Sequence, residues 1–307
     1  MRAIAPMIGL LLASTGCGLV DAPGNPMVEA HRGAAGYWPQ NSTRAIQGTV
    51  DADYPALEFD IVLTSDLVPV LSHDPWLHED LCTTVDGEAI DGRQNIMDID
   101  LDTLRNDFVC GGVADEEHTK AEVLEERIPT LAEVLQIVST GSEEMVVHLD
   151  VKFEPDGTTF DAETMAAAIL SDWYTADLSN PWFVSANQPD AIAAFELLAT
   201  GEITTSLAWP RFHPDLSDAT VALTEEFRMT FGQVEYVDLA RDAGADGLAI
   251  PYQLIERRQV DAARAAGLQV QVWTTNTQEL LDEYCAWPVD SVITDYPDDA
   301  PCLGGGK

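Results

Sequence analysis

ALEFDIVL, residues 56–63, is an apolar run interrupted only by Glu58 and Asp60. It reads as a strand. Side chains alternate across a strand, so the i, i+2 spacing puts both carboxylates on one face. Two carboxylates on one face of an apolar strand are costly unless they are paired or bound to a cation. The tight turn Thr64-Ser65-Asp66 joins this run to a shorter one, VPVLSH (68–73), followed by Asp74 and Pro75. Upstream, MVEAH (27–31) reads as a strand and TRAIQGTVDA (43–52) as a helix. Downstream, EMVVHLDVK (144–152) repeats the pattern of 56–63, with His148, Asp150 and Lys152 at i, i+2, i+4 among Val147, Leu149 and Val151.

The same rhythm runs to the C-terminus. Thr130 is the expected N-cap of the helix LAEVLQIV. Helices are expected at 162–170, 189–199, 260–267 and 277–286, with strands at 181–187, 203–209, 245–251, 268–275 and 289–297. Strands alternating with helices predict a parallel sheet. Counting 27–31, 57–62 and the runs near 146, 183, 205, 248, 270 and 292 gives eight βα units. The expected fold class is therefore α/β, a (β/α)8 TIM barrel with its active site at the C-terminal strand ends. The run 68–73 is an extra short strand. No glycine-rich dinucleotide loop follows the first strand and no P-loop is present, which argues against a doubly wound nucleotide fold. Residues 75–127, between the second and third barrel strands, are acidic and without periodicity, and read as an inserted loop region.

The chain of 307 residues carries 53 acidic against 15 basic residues, a formal net charge of −38. The acids are spread along the whole chain, as on a folded protein with an acidic surface. Such a surface repels nucleic acid and anionic membranes, so no nucleic-acid partner is expected, and an anionic substrate must be captured locally. The N-terminus has one Arg, an apolar run from Ala3 to Ala13 and small residues up to Cys17. That run is too short to span a bilayer and reads as a signal peptide, 1–17. Ser14-Thr15-Gly16-Cys17 resembles a bacterial lipoprotein processing site, with Cys17 the lipidated first residue; ordinary secretion is the alternative. Membrane contact is then expected only through this anchor, in the bacterial cell envelope, and otherwise the protein is periplasmic or secreted. Residues 18–26 form a linker, and 27–302 a single barrel domain holding the insert. The remaining Cys82, Cys110, Cys285 and Cys302 suggest two disulfides in an exported protein, and local pairing, 82–110 and 285–302, is expected. No CxxC spacing suggests a metal site. Oligomeric state is not encoded in any of these features.

Three strands thus carry ionisable groups near their C-terminal ends, on the face that a barrel turns into its mouth. Glu58, Asp60 and Asp150 are hard oxygen ligands suited to one divalent cation, Mg2+ or Ca2+. His31 and His73 can serve as general base and general acid. Arg32 and Lys152 can hold phosphate oxygens. This set describes phosphoryl chemistry better than any other class.

The chain resembles the glycerophosphodiester phosphodiesterase family of TIM-barrel enzymes. The resemblance lies in His31-Arg32-Gly33, Pro39-Gln40-Asn41-Ser42-Thr43, Glu58-Phe59-Asp60, His73-Asp74, Ile128-Pro129-Thr130-Leu131, Leu149-Asp150-Val151-Lys152, Trp273-Thr274, Asn276 and Ile293-Thr294-Asp295-Tyr296-Pro297. It implies metal-dependent hydrolysis of glycerophosphodiesters to glycerol 3-phosphate and an alcohol. By the same resemblance Glu58, Asp60 and Asp150 are the metal ligands and His31 and His73 the acid–base pair. Arg32 contacts the phosphate, Lys152 matches the family lysine, and Trp273 lines the pocket. Gln40 stands where the family usually has Glu, and Asp150 where its third ligand is commonly Glu. An Asp there also resembles the sphingomyelinase D-like phospholipases, whose motif lacks His-Arg-Gly. His148 stands at a position often filled by Asn and is grouped with the substrate pocket. Two alternatives follow: a lysophospholipase D or sphingomyelinase D-like activity, and a non-catalytic barrel that binds a phosphodiester.

Overall fold

The computed structural model describes residues 25–114, 118–154, 156–201, 203–208 and 235–303. The expectations for the signal peptide, including Cys17, and for most of the linker lie outside the described residues. Eight strands close a parallel barrel: β1 (Met27–Ala30), β2 (Ala56–Leu63), β6 (Val146–Val151), β7 (Trp182–Ala186), β8 (Thr204–Ala208), β9 (Gly247–Pro251), β10 (Gln269–Trp273) and β11 (Ser291–Thr294). The strands pair in that order, and β1 closes the ring by pairing with both β11 and β2. β3 (Pro69–Leu71) pairs antiparallel with the last residues of β2. Helices α1 (Thr43–Asp51), α3 (Leu131–Val138), α4 (Ala162–Ala176), α5 (Pro189–Leu198), α6 (Glu235–Ala243), α7 (Arg257–Ala265) and α8 (Gln278–Cys285) lie between the strands in sequence. α7 begins three residues before its expected start, after a capping box of Glu256 and Gln259. Thr130 caps α3 in a capping box with Glu133, which satisfies two otherwise unpaired helix-end donors.

The period-2 alternation divides the barrel strands into two faces. Leu57, Phe59, Ile61, Val147, Leu149, Val184, Leu248, Val270, Val272 and Val292 join one buried apolar cluster with residues of the helices. The other face turns inward and is largely polar: Glu29, Glu58, Asp60, His148, Ser185, Ser206, Gln271 and Ser291 are all buried. Barrel interiors are usually filled by branched apolar side chains. Here only the lower layer follows that habit, with Ala56, Val146 and Phe183 packed together.

The insert is more ordered than its sequence suggests. β4 (Cys82–Thr84) pairs antiparallel with β5 (Phe108–Cys110), and α2 (Leu101–Asp107) runs directly into β5. Leu77, Ile90, Ile96, Leu104 and Ile128 form a small core with Val62 and Val70 of the β2–β3 pair. Three-residue strands show too few alternations to register as periodicity, so this core is hidden in the sequence. Cys82 and Cys110 are cross-strand partners and are disulfide-bonded, and a second disulfide joins Cys285 to Cys302. Among the described residues no helix is long and apolar enough to cross a membrane.

Candidate active site

The first loop turns sharply after β1. His31, Arg32 and Gly33 form a single 3-10 turn in which Arg32 and Gly33 both have positive φ. Gly33 at φ +78° sits where a Cβ would lie 2.7 Å from the Ala45 side chain, so only glycine lets this turn rest on α1. The turn aims the Arg32 backbone N–H at Glu58, which accepts at 2.7 Å. The Arg32 side chain reaches Asp60 at 3.3 Å and donates to Gln40. Gln40 therefore keeps an acceptor on Arg32 while removing a carboxylate. The chain then curls so that Asn41, also at positive φ, donates to Asp60 at 2.7 Å and accepts from the Asp60 backbone N–H at 3.1 Å.

Strand register gathers the carboxylates. Glu58 pairs with His148, Asp60 with Asp150, and Asp150 with Ser185. Oxygens of Glu58, Asp60 and Asp150 lie within 4.8 Å of one another. Lys152 lies 2.7 Å from Asp60 Oδ1 and also pairs with Asp150. The ammonium thus bridges Asp60 and Asp150. Burial and the adjacent Asp60 push the Glu58 carboxyl well above the usual range. Asp60 is driven the other way: burial opposes its charge, but Lys152, Arg32 and His31 hold it far below the ordinary value. Burial also works against the Arg32 charge, and the fields of Asp60, Asp295 and Glu58 more than offset it. Three hard oxygen donors this close fit a divalent cation.

His31 and His73 lie in different loops. His31 Nδ1 lies 2.6 Å from Asp295 Oδ1, just beyond the end of β11. Asp295 also pairs with His118 Nε2 at 2.9 Å and accepts from the Asn276 amide. Burial disfavours the Asp295 charge, yet His31 and His118 hold its carboxyl far below the usual range. His73 stands beside Asp74, 3.5 Å from its carboxylate, with His78 on the other oxygen at 3.7 Å. A cavity of about 1240 Å³ opens under the insert and is lined by Arg32, Gln40, His73, Trp38, Trp76 and Ile128, among others. None of Glu58, Asp60 or Asp150 belongs to that lining; Arg32 and Lys152 lie across the carboxylates. Trp273 is the last residue of β10, at the mouth end of the barrel.

His148 departs from its expected place in the pocket. It is 2 % exposed, with Nδ1 on Glu29 and Nε2 on Ser185, and its ring stacks on Phe183 at 4.0 Å. It lies inside the barrel, two residues before Asp150 on the same strand. Burial lowers its basicity, but the carboxylates of Glu29, Glu58 and Asp150 together raise it by more. Asp295, His118, Asn41, Ser185 and Glu29 are the site residues to which sequence reasoning assigned no role. The tripeptide Thr294-Asp295-Tyr296 and Asn276 were visible as motif matches; nothing in the acidic insert singled out His118.

The sequence model described as the glycerophosphoryl diester phosphodiesterase family matches residues 31–299. Glycerophosphodiester phosphodiesterase 1 of Mus musculus is 26 % identical over 280 residues, 87 % of this chain and 76 % of its own length. A glycerophosphodiester phosphodiesterase of Bacillus subtilis strain 168 is 23 % identical over 282 residues, covering 90 % of this chain and 86 % of its own. Among solved structures, one from Silicibacter pomeroyi DSS-3 superposes with a TM-score of 0.77 at 24 % identity, covering 93 % of this chain and 95 % of that one. A phosphodiesterase of Oleispira antarctica, solved in complex with its product sn-glycerol-3-phosphate, has a TM-score of 0.65 at 23 % identity, with 91 % and 96 % covered.

Proposed function

The chain belongs to the glycerophosphoryl diester phosphodiesterase family, and on that premise we propose that it hydrolyses glycerophosphodiesters with His31 and His73 as its acid–base pair. In the same proposal Glu58, Asp60 and Asp150 hold one divalent cation, Mg2+ or Ca2+. The observation that carries it is the carboxylate triad, three oxygens within 4.8 Å, beneath the positive charges of Arg32 and Lys152. A cation bound there supplies Lewis-acid polarisation of a phosphoryl oxygen. Arg32 and Lys152 offset the charge that builds on the phosphoryl oxygens as the bond to phosphorus forms. His31 gives Nδ1 to Asp295, so Nε2 is the atom that exchanges a proton with the substrate. One histidine takes the proton of the attacking hydroxyl, which belongs to water or to the substrate's own glycerol. The other returns a proton to the oxygen of the leaving alcohol. With water as the nucleophile the products are glycerol 3-phosphate and that alcohol; with the glycerol hydroxyl, the alcohol leaves behind a cyclic glycerol phosphate, which water then opens to glycerol 3-phosphate.

The apolar wall of the cavity beside Arg32 and His73, with Trp38, Trp76, Leu77 and Ile128, favours a second reading, action on a lysophospholipid headgroup. One assay separates the two. The purified, chelator-treated protein is given glycerophosphocholine or lysophosphatidylcholine, with and without Ca2+ or Mg2+. Cation-dependent release of glycerol 3-phosphate from the first is expected; turnover of the second alone selects the lysophospholipase D reading. His31→Ala and His73→Ala should each lower kcat by about 10²–10⁴-fold, the usual worth of acid–base catalysis, with unchanged circular dichroism. Near-normal kcat in both variants would remove the two-histidine assignment. The segment ending at Cys17 supports an anchored position in the cell envelope, with the barrel domain and its insert beyond the linker. The intact mass of the mature chain tests this through the presence of a diacylglyceryl group on Cys17.

A further inference from the structure

A line of hydrogen bonds crosses the barrel interior and ends on Asp150. The Ser291 hydroxyl donates to Glu29 Oε1, Glu29 Oε2 lies 2.7 Å from His148 Nδ1, and His148 Nε2 lies 2.8 Å from Ser185 Oγ. Ser185 Oγ donates to Asp150 Oδ1 at 2.6 Å. Glu29, His148, Ser185 and Ser291 are each no more than 2 % exposed, so these groups must satisfy one another. The direction of the line follows from counting protons. A serine hydroxyl has one proton. With that proton on Asp150, the Ser185 oxygen accepts from His148, so Nε2 is protonated. One further proton lies between Nδ1 and Glu29, whose other oxygen accepts from Ser291. Stacking on Phe183 fixes the plane of the imidazole that does this.

We infer that Ser185, oriented by His148 and Glu29, is a positioning residue that holds Asp150 as a cation ligand. The bond to Oδ1 sets the carboxylate plane and leaves Oδ2 on the Lys152 side, toward Asp60. Ser185 stands directly opposite Asp150 on the neighbouring strand, which puts its hydroxyl within reach of the short aspartate side chain. The inference rests on the assignment of Asp150 to the cation site.

Two variants test it in the full chain, by crystallography and by calorimetric titration with Ca2+ or Mg2+. Ser185→Ala removes the donor. Asp150 should rotate out of its present orientation, and the dissociation constant should rise by about 10- to 100-fold, the usual effect of losing a partner behind a metal ligand. Ser185→Thr, which restores the hydroxyl, should recover most of that affinity; a merely structural role of the small side chain would not. Glu29→Gln keeps the polarity of the line: its oxygen accepts from Ser291 and its amide donates to Nδ1. Its dissociation constant should stay within about threefold of wild type, well inside the effect of a lost outer partner. Asp150 unmoved in Ser185→Ala, with unchanged affinity, would overturn the inference. Glu29→Gln as damaging as Ser185→Ala would overturn the stated polarity. If the wild-type protein binds neither cation, the cation assignment falls, and the orientation of Asp150 in the Ser185→Ala crystal alone decides whether Ser185 positions it.

Discussion

Lys152→Met tests the electrostatics of the carboxylate triad, because methionine keeps most of the volume and removes the ammonium. The ammonium lies 2.7 Å from Asp60 and also touches Asp150, with its side chain 13 % exposed. Two unit charges about 4 Å apart attract by about 4 kcal/mol at an effective dielectric constant near 20. Lys152 faces two such charges, but its own desolvation opposes part of that gain. Removing one partner of a buried ion pair costs about 3–5 kcal/mol, a fair figure for the net loss. At about 2 °C per kcal/mol for a domain of this size, the chelated variant should melt about 6–10 °C below the chelated wild type. Burial and Asp60 already push Glu58 up, and Lys152 counters them. Without Lys152 the glutamate takes a proton more readily and blunts the loss at low pH, so the comparison belongs at mildly alkaline pH. Ca2+ or Mg2+ should then raise the melting temperature of the variant more than that of the wild type, because no ammonium competes for Asp60 and Asp150. The assay is thermal unfolding by circular dichroism with chelator, then with saturating cation. Chelated melting within about 2 °C of wild type, a shift worth only about 1 kcal/mol, would show that Lys152 does not compensate the triad. Equal cation-induced rises would show that the cation does not share its carboxylates.

Two further outcomes follow from the same physics. Asp295 has a depressed carboxyl pKa, so its contribution to stability is complete above the unfolded value of about 3.9 and is lost as pH falls below it. The melting-temperature gap between wild type and Asp295→Asn should therefore be widest near neutrality and shrink on acidification, and a gap constant down to strongly acid pH would contradict the assigned ion pairs. Removing the Cys82–Cys110 disulfide, which spans 28 residues, should release about 3–4 kcal/mol of loop-closure stabilisation. The insert packs on the outer end of the β2–β3 pair through Val62 and Val70, so hydrogen exchange should quicken within 82–110 while β6 and the first half of β2 stay protected; lost protection there would make the insert part of the barrel's cooperative unit.

Barrel and carboxylate triad were both legible because each is written in a short local period. Leu57, Phe59 and Ile61 face the helices, while Glu58 and Asp60 face inward, and the order of eight such runs with intervening helices sets the closure. Thr130 announced α3 through its cap. What remained hidden depends on contacts distant in sequence. Asp295 meets His118 across 177 residues and His31 across 264. A single Asp after a strand has no i, i+2 companion to mark it, and His118 lies in a stretch without periodicity. His148 looked like a mouth residue because it shares a face with Asp150 and Lys152. One layer of depth, which sequence spacing does not record, puts it among Glu29, Ser185 and Phe183 instead.

The four carboxylates at the mouth are each held by a different part of the chain. Glu58 receives the backbone N–H of Arg32 from the first loop, and Asp60 receives the Asn41 amide from the approach to α1. Asp150 receives Ser185 from β7, and Asp295 meets His118 of the insert and Asn276 of the loop after β10. Such spacing of donors serves an electrostatic need. A chain with net charge −38 repels an anionic diester at long range, so any gain on binding must arise within a few ångströms. At that range the sign of the field is set by where each carboxylate oxygen points. Oxygens tied back to Ser185, Asn41, His118 and the Arg32 backbone present less negative charge to the substrate. The guanidinium of Arg32 and the ammonium of Lys152 remain on the side of the mouth. Placement of each acid by donors from a different part of the chain thus shapes the local field that an anionic diester would meet in this acidic barrel.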